Sequence, residues 1–125
     1  MTGEEEAVPR VLGDITALTD TSPDVGGVLW KLTESGRQLD ANVVRLSPGR
    51  HVAPHAEPDL DVLLLVVSGD GFVAAGPDGE KQPLSTGALL WLPHGSTRGL
   101  TAGDDGLAYL TVHRRRPGMR IGRAR

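Results

Sequence analysis

Two stretches concentrate the side chains that could do chemistry. The first follows Ser47-Pro48-Gly49 and places His51, His55, Glu57 and Asp61 ahead of the apolar run at residues 62–67, which ends at Ser68-Gly69. The second covers residues 87–98 and carries Trp91, Pro93, His94, Gly95 and Arg98. Imidazoles and carboxylates at such spacing can chelate a divalent ion or exchange protons, and an arginine can hold an anion. His55 and Glu57 are two apart, so on a strand they share one face about 7 Å apart at Cα. His51 is four residues from His55, about 13 Å along an extended chain. A catalytic zinc or iron normally takes three protein ligands, and Asp61 is the nearest third donor. Arg98 argues against a cation, because a guanidinium about 4 Å from a divalent ion is repelled by about 8 kcal/mol at an effective dielectric of 20.

The elements that must position these residues read as β throughout. The chain has 125 residues, 17 of them Gly and 9 Pro, and this punctuation suits short strands joined by tight turns. Strands are expected at residues 28–32, 42–46, 51–57, 62–67, 71–75, 80–84, 88–92, 97–101 and 107–113. Gly76-Pro77-Asp78-Gly79 marks a hairpin, and Gly103-Asp104-Asp105-Gly106 a turn between the last two strands. Eight or nine short strands without a long helix predict an all-β antiparallel barrel or jelly roll. Residues 62–67 are apolar at every position, so both faces should be covered, one by the interior and one by a second sheet or a partner subunit. The expected organisation is a leader at 1–24 with one short helix or strand in 11–18, a barrel domain at 25–116 and a basic tail at 117–125.

Composition narrows the partners. There is no cysteine, so any metal would rest on His, Asp or Glu. No apolar run approaches the roughly 18 residues of a membrane span, and the acidic start Met1-Thr2-Gly3-Glu4-Glu5-Glu6 is unlike a signal peptide. A cytoplasmic protein without a membrane partner is the simplest expectation. The net charge of −3 conceals an asymmetry: residues 1–113 carry 7 Lys+Arg and 16 Asp+Glu, while residues 114–125 carry six Arg and no acid. A basic end can bind nucleic acid, but the acidic body would repel it. Arg114, Arg115 and Arg116 are therefore expected to solubilise a strand end, and the rest to pair with that body.

The spacing of both stretches resembles the cupin superfamily. Its first motif is Gly, five residues, His-x-His, three or four residues, Glu, six residues, Gly. Here Gly49 leads to His55, Glu57 replaces the second histidine, and Asp61 fits the glutamate only with a one-residue bulge before Gly69. The second motif is Gly, five residues, Pro-x-Gly, two residues, His, three residues, Asn. Gly87, Pro93 and Gly95 match it, Arg98 stands at the histidine and Ala102 at the asparagine. The resemblance spans roughly residues 27–113 and implies a cupin-like double-stranded β-helix, or jelly-roll barrel, and dimers. Metal-binding cupins typically use three histidines and a carboxylate, of which this chain keeps one histidine.

The resulting expectation is a metal-free, cofactor-free small cupin that binds a small anionic organic molecule and forms a homodimer. Its ligand-binding residues would be His55, Glu57, Arg98, Arg45, Trp91 and Tyr109. Arg98 would face Glu57 and Asp61, either as a structural ion pair or as a site where a ligand carboxylate or phosphate competes. His55 is either a hydrogen-bonded rim residue or a general base. Trp30, Trp91 and Tyr109 suit core packing or pocket lining. Two alternatives stand beside this. One is a metal-dependent oxygenase, isomerase or lyase with a divalent ion on His55, Glu57 and Asp61. The other is a ligandless dimeric interaction protein.

Overall fold

In the computed structural model, which describes residues 7–116, the chain forms one five-residue helix and seven strands. Helix α1 (Ile15–Thr19) starts at Asp14, whose carboxylate accepts from the amides of Thr16 and Ala17 at 2.9 and 3.4 Å. The strands are β1 (Gly27–Lys31), β2 (Leu39–Leu46), β3 (His51–Ala56), β4 (Val62–Ala75), β5 (Glu80–Ser85), β6 (Leu89–Leu92) and β7 (Thr97–Arg114). Every pairing is antiparallel. The β4–β5 hairpin turns at residues 76–79, where Gly76 and Gly79 have φ of 78° and 65°.

Two glycine clusters read as strand ends or turns are instead bends inside long strands. The expected segments 62–67 and 71–75 are one strand, β4, and 97–101 and 107–113 are one strand, β7. Because β4 and β7 run side by side, each can change partners at its bend. Residues 63–69 of β4 pair with 107–112 of β7, flanked by β2 with β1 on one side and β6 on the other. Residues 71–75 pair with 98–102, flanked by β5 and β3. Two half-sheets thus share two continuous strands, and the core draws on both, with Leu64, Val66, Leu107 and Tyr109 from one and Val73, Leu84, Leu100 and Ala102 from the other. The crossing is too close for side chains. A Cβ at Gly69 would overlap the carbonyl oxygen of Gly106, and one at Gly71 the carbonyl oxygen of Thr101.

Alternation sets what each strand shows. On β7, Leu107 and Tyr109 join the core while Leu110 and Val112 face the other way, into an apolar groove with Leu39, Ala41 and Trp30. On β4, Leu64 is enclosed and Leu63 is 48 % exposed. The outer face of residues 62–67 is therefore not covered by a second sheet of the same chain, one of the two covers its composition allows. Part of the outer face lies under the N-terminal segment, where Leu12, Ile15 and Leu18 line the same groove as Trp30. The expected tail, 117–125, lies outside the described residues.

The close crossing predicts a graded glycine series. Gly69→Ala combines backbone overlap with a φ of 84° and should cost about 3 kcal/mol or more. Gly79→Ala, at a φ of 65° with open space around it, should cost about 1–2 kcal/mol. Urea midpoints of the two variants check this, and equal midpoints would remove the crossing as the controlling constraint.

Candidate functional site

The inward face of the second half of β7 presents Tyr109, Thr111 and His113 in succession. Opposite them, His55 of β3 pairs across the ladder with Arg98 of β7, and a bulge between Val52 and His55 re-aims β3 at this point. Together with Glu57 and Arg116 these residues surround a cavity of about 200 Å3 whose apolar wall is Val52, Val62, Leu64, Leu92 and Leu100. Of the six residues expected to bind ligand, four meet here: His55, Glu57, Arg98 and Tyr109.

Arg98 is 6 % exposed. Its Nη1 alone is tethered, donating over 3.2–3.5 Å to Ser96 Oγ, the Ser96 carbonyl and the Pro93 carbonyl. Nε and Nη2 make no hydrogen bond among the described residues and are not sealed from water-sized space, and Arg98 is one of the residues lining the cavity. Among the described residues no carboxylate forms an ion pair with it. A charge buried without a carboxylate partner is costly, on the order of several kcal/mol.

The expected Arg98–Glu57 pair does not form, because Glu57 is taken from another direction. Arg116 Nη2 donates to its Oε1 at 2.7 Å and the Asp59 amide to its Oε2 at 2.9 Å. The hydrogen bond from Arg116, then that from Asp59, hold the Glu57 carboxyl below its ordinary range, with Arg98 adding a smaller attraction through space. Arg116 is also fixed at its own amide, which donates to Asp40 Oδ2 at 3.2 Å. Arg114 donates to the Asp59 carbonyl at 3.2 Å. With Arg115 donating to the Arg37 carbonyl at 3.4 Å, the three terminal arginines of β7 and its extension tie into the body rather than merely solvating a strand end.

Three expected residues lie elsewhere, each for a reason of parity or partner. Val44 pairs with Tyr109 and packs on the core, so its neighbour Arg45 points outward. There its guanidinium donates to Thr19 O, Thr21 Oγ1, Ser22 O and Val25 O over 2.6–3.4 Å, strapping the N-terminal segment onto the sheet. Trp91 alternates with the inward Leu90 and Leu92, pairs with Leu63 and is 68 % exposed on the outer face. Asp61 turns to His94, accepting from its amide and Nδ1 at 2.9 and 2.7 Å. With the Gly95 amide donating to Glu57 O at 2.7 Å, this clasps the 57–61 loop to the 93–95 loop at the cavity rim.

The donor set does not fit a divalent ion. Glu57 is committed to Arg116 and Asp59, Asp61 to His94, and the positive Arg98 shares the cavity. Among the described residues no three His, Asp or Glu side chains converge on one point. His55, Glu57 and Asp61 therefore do not form the metal triad of the alternative reading.

Thr111, His113 and Arg116 were not anticipated. His113 and Tyr109 stand four apart on one strand, a spacing that already puts them on one face. Arg116 carried no such signal, since its role depends on where the chain goes after β7 ends.

No protein-family model matches the chain, and no curated protein sequence matches it. Solved structures do. KdgF from Halomonas sp. aligns at 28 % identity with a TM-score of 0.59, over 70 % of this chain and 77 % of that one. A cupin protein from Bacteroides fragilis aligns at 21 % identity and 0.57, over 71 % and 78 %. The cupin domain of Cnp3 from Schizosaccharomyces pombe aligns at 12 % identity and 0.61, over 70 % and 63 %. The antiparallel fold and these likenesses give the chain the fold of the cupin proteins.

The Glu57–Arg116 pair carries a pH prediction. A carboxyl whose folded pKa lies below its unfolded value stabilises the fold fully above the unfolded pKa and loses that contribution as pH falls through the folded one. Glu57→Gln should lower the Tm at pH 7 and flatten its fall from about pH 5 to pH 3. Parallel melting curves for the two proteins over that range would remove Glu57 from the acid response.

Proposed function

We propose that this cupin-fold chain is a metal-free binding protein for a compact anionic organic molecule, held at Arg98 in the cavity between the half-sheets. The observation that carries this is the state of Arg98, which lines the cavity at 6 % exposure with two guanidinium nitrogens uncommitted and no carboxylate pair among the described residues. A ligand carboxylate or phosphate supplies the missing counter-charge and accepts from both open nitrogens. The apolar wall of Val52, Val62, Leu64, Leu92 and Leu100 takes the body of the molecule. A cavity of about 200 Å3 holds about seven waters' worth of liquid volume, which suits a small metabolite rather than a polymer.

Removing the charge separates a binding arginine from a structural one. Arg98→Met keeps much of the volume, and should leave the empty protein as stable as before or more so. Thermal shift against formate, acetate, butyrate, phosphate and sulfate should show stabilisation of the native protein by at least one anion. Arg98→Met should weaken that anion about 10- to 100-fold. A destabilised empty variant, or anion shifts that persist in it, would overturn the proposal.

The outer face favours a homodimer as a second feature. Leu63, Leu89 and Trp91 are 48, 65 and 68 % exposed and adjoin one another across β4 and β6. Val112 of β7 pairs beside Leu63 and leads to the apolar groove at Leu39 and Trp30. A continuous apolar strip of this kind suits a self-complementary two-fold contact with a second copy. Analytical ultracentrifugation should give twice the chain mass for the native protein and the single mass for Leu63→Glu. A native protein that sediments as a monomer at tens of micromolar would exclude it.

A further inference from the structure

The cavity's polar groups differ in what they have left to offer, and the difference describes the ligand further. Neutral imidazoles donate from one nitrogen and accept at the other. His55 Nδ1 lies 3.0 Å from the Ala53 carbonyl and His113 Nδ1 lies 2.7 Å from the Arg114 carbonyl, so both must donate there. In the neutral form each Nε2 is then an acceptor. Thr111 spends its proton on Asn42 Oδ1 at 2.8 Å.

Tyr109 is different. Its side chain is 6 % exposed and packs in the core cluster with Leu64, Val66 and Leu107. Its hydroxyl makes no hydrogen bond among the described residues, yet it is not a sealed, unsatisfied group, and Tyr109 is one of the residues lining the cavity. Burial raises its pKa, which keeps the proton in place at neutral pH. Arg116 also lines the cavity with Nε and Nη1 uncommitted among the described residues, but its side chain is 54 % exposed at the rim. The uncommitted donors on buried residues are therefore Arg98 Nε and Nη2, and the Tyr109 hydroxyl.

We infer that the ligand is a small carboxylate bearing a second oxygen, a hydroxyl or carbonyl, which accepts from the Tyr109 hydroxyl while the carboxylate occupies Arg98. This rests on the anion site proposed above and adds its specificity. A ligand hydroxyl has one further advantage, since its own proton can go to an imidazole Nε2. A site with a buried donor discriminates against the analogue that lacks the acceptor, because the donor then has no partner in the complex.

Calorimetric titration of the full chain with butyrate and with 2-, 3- and 4-hydroxybutyrate tests this, using the native protein, Tyr109→Phe and Arg98→Met. The native protein should bind at least one hydroxybutyrate about tenfold more tightly than butyrate. Tyr109→Phe should bind butyrate within about twofold of native and lose the preference. Arg98→Met should lose all four. The chain has a single tyrosine, so the 13Cζ resonance of labelled protein should move with the preferred hydroxybutyrate and stay in place with butyrate. Equal affinities for butyrate and every hydroxybutyrate, or a preference that survives in Tyr109→Phe, would overturn the role of Tyr109 while leaving the anion site standing. Carboxylate binding that survives in Arg98→Met, with the tyrosine resonance still responding, would overturn the anion site instead. No binding of any of the four by the native protein would overturn both.

Discussion

The fold depends on how closely β4 and β7 can approach where they bend. Each strand belongs to both half-sheets, so the crossing is the hinge about which the two inner faces meet. At Gly69 and Gly71 the facing atoms are the backbone carbonyls of Gly106 and Thr101, at distances that leave no room for a Cβ. Side chains there would hold the strands apart and open the core shared by Leu64, Val66, Leu100 and Tyr109. The cavity inherits its shape from this arrangement. Tyr109 and Thr111 come from one half of β7, Arg98 from the other, and only the bend brings them to one space.

Within that space the electrostatics are divided between two arginines. Arg116 satisfies Glu57 at the rim, partly exposed to water, where an ion pair contributes modestly and mainly fixes geometry. Arg98 is left deeper, tethered through one nitrogen by neutral acceptors. With Glu57 hydrogen-bonded to Arg116, the deeper arginine has no carboxylate ion pair among the described residues. A fixed cation flanked by an apolar wall and a neutral hydroxyl is what the proposed anion site rests on. Arg45, equally buried, shows the contrast: four neutral oxygens surround it and it serves as a strap.

Much of the scaffold was legible because its causes are local. The glycine and proline spacing around Gly49, Gly69, Gly87, Pro93 and Gly95 located strands and corners, and the hairpin at residues 76–79 formed where its turn residues stand. Two readings failed at glycines. A glycine permits a chain reversal and a close strand crossing equally well, and only the neighbouring backbone distinguishes them. Residues 62–67 presented a related ambiguity, since an apolar strand face does not reveal what covers it.

The site was legible in part. Spacing by two put His55 and Glu57 together, and the place of Arg98 after Pro93-x-Gly95 put it in the cavity. Arg45 and Trp91 were misplaced because a strand offers two faces, and a single residue does not reveal which one turns inward; the register of β2 on β7 and of β6 on β4 decided both. The partner of Glu57 came from a residue 59 positions away, beyond any pattern in the chain. The sequence by itself determined where extended segments lie, the turn at residues 76–79 and the stock of charges, which follow from backbone sterics and side-chain chemistry over a few residues. Tertiary structure alone decided which charges meet and which is left unpaired, because an ion pair is chosen by proximity in space.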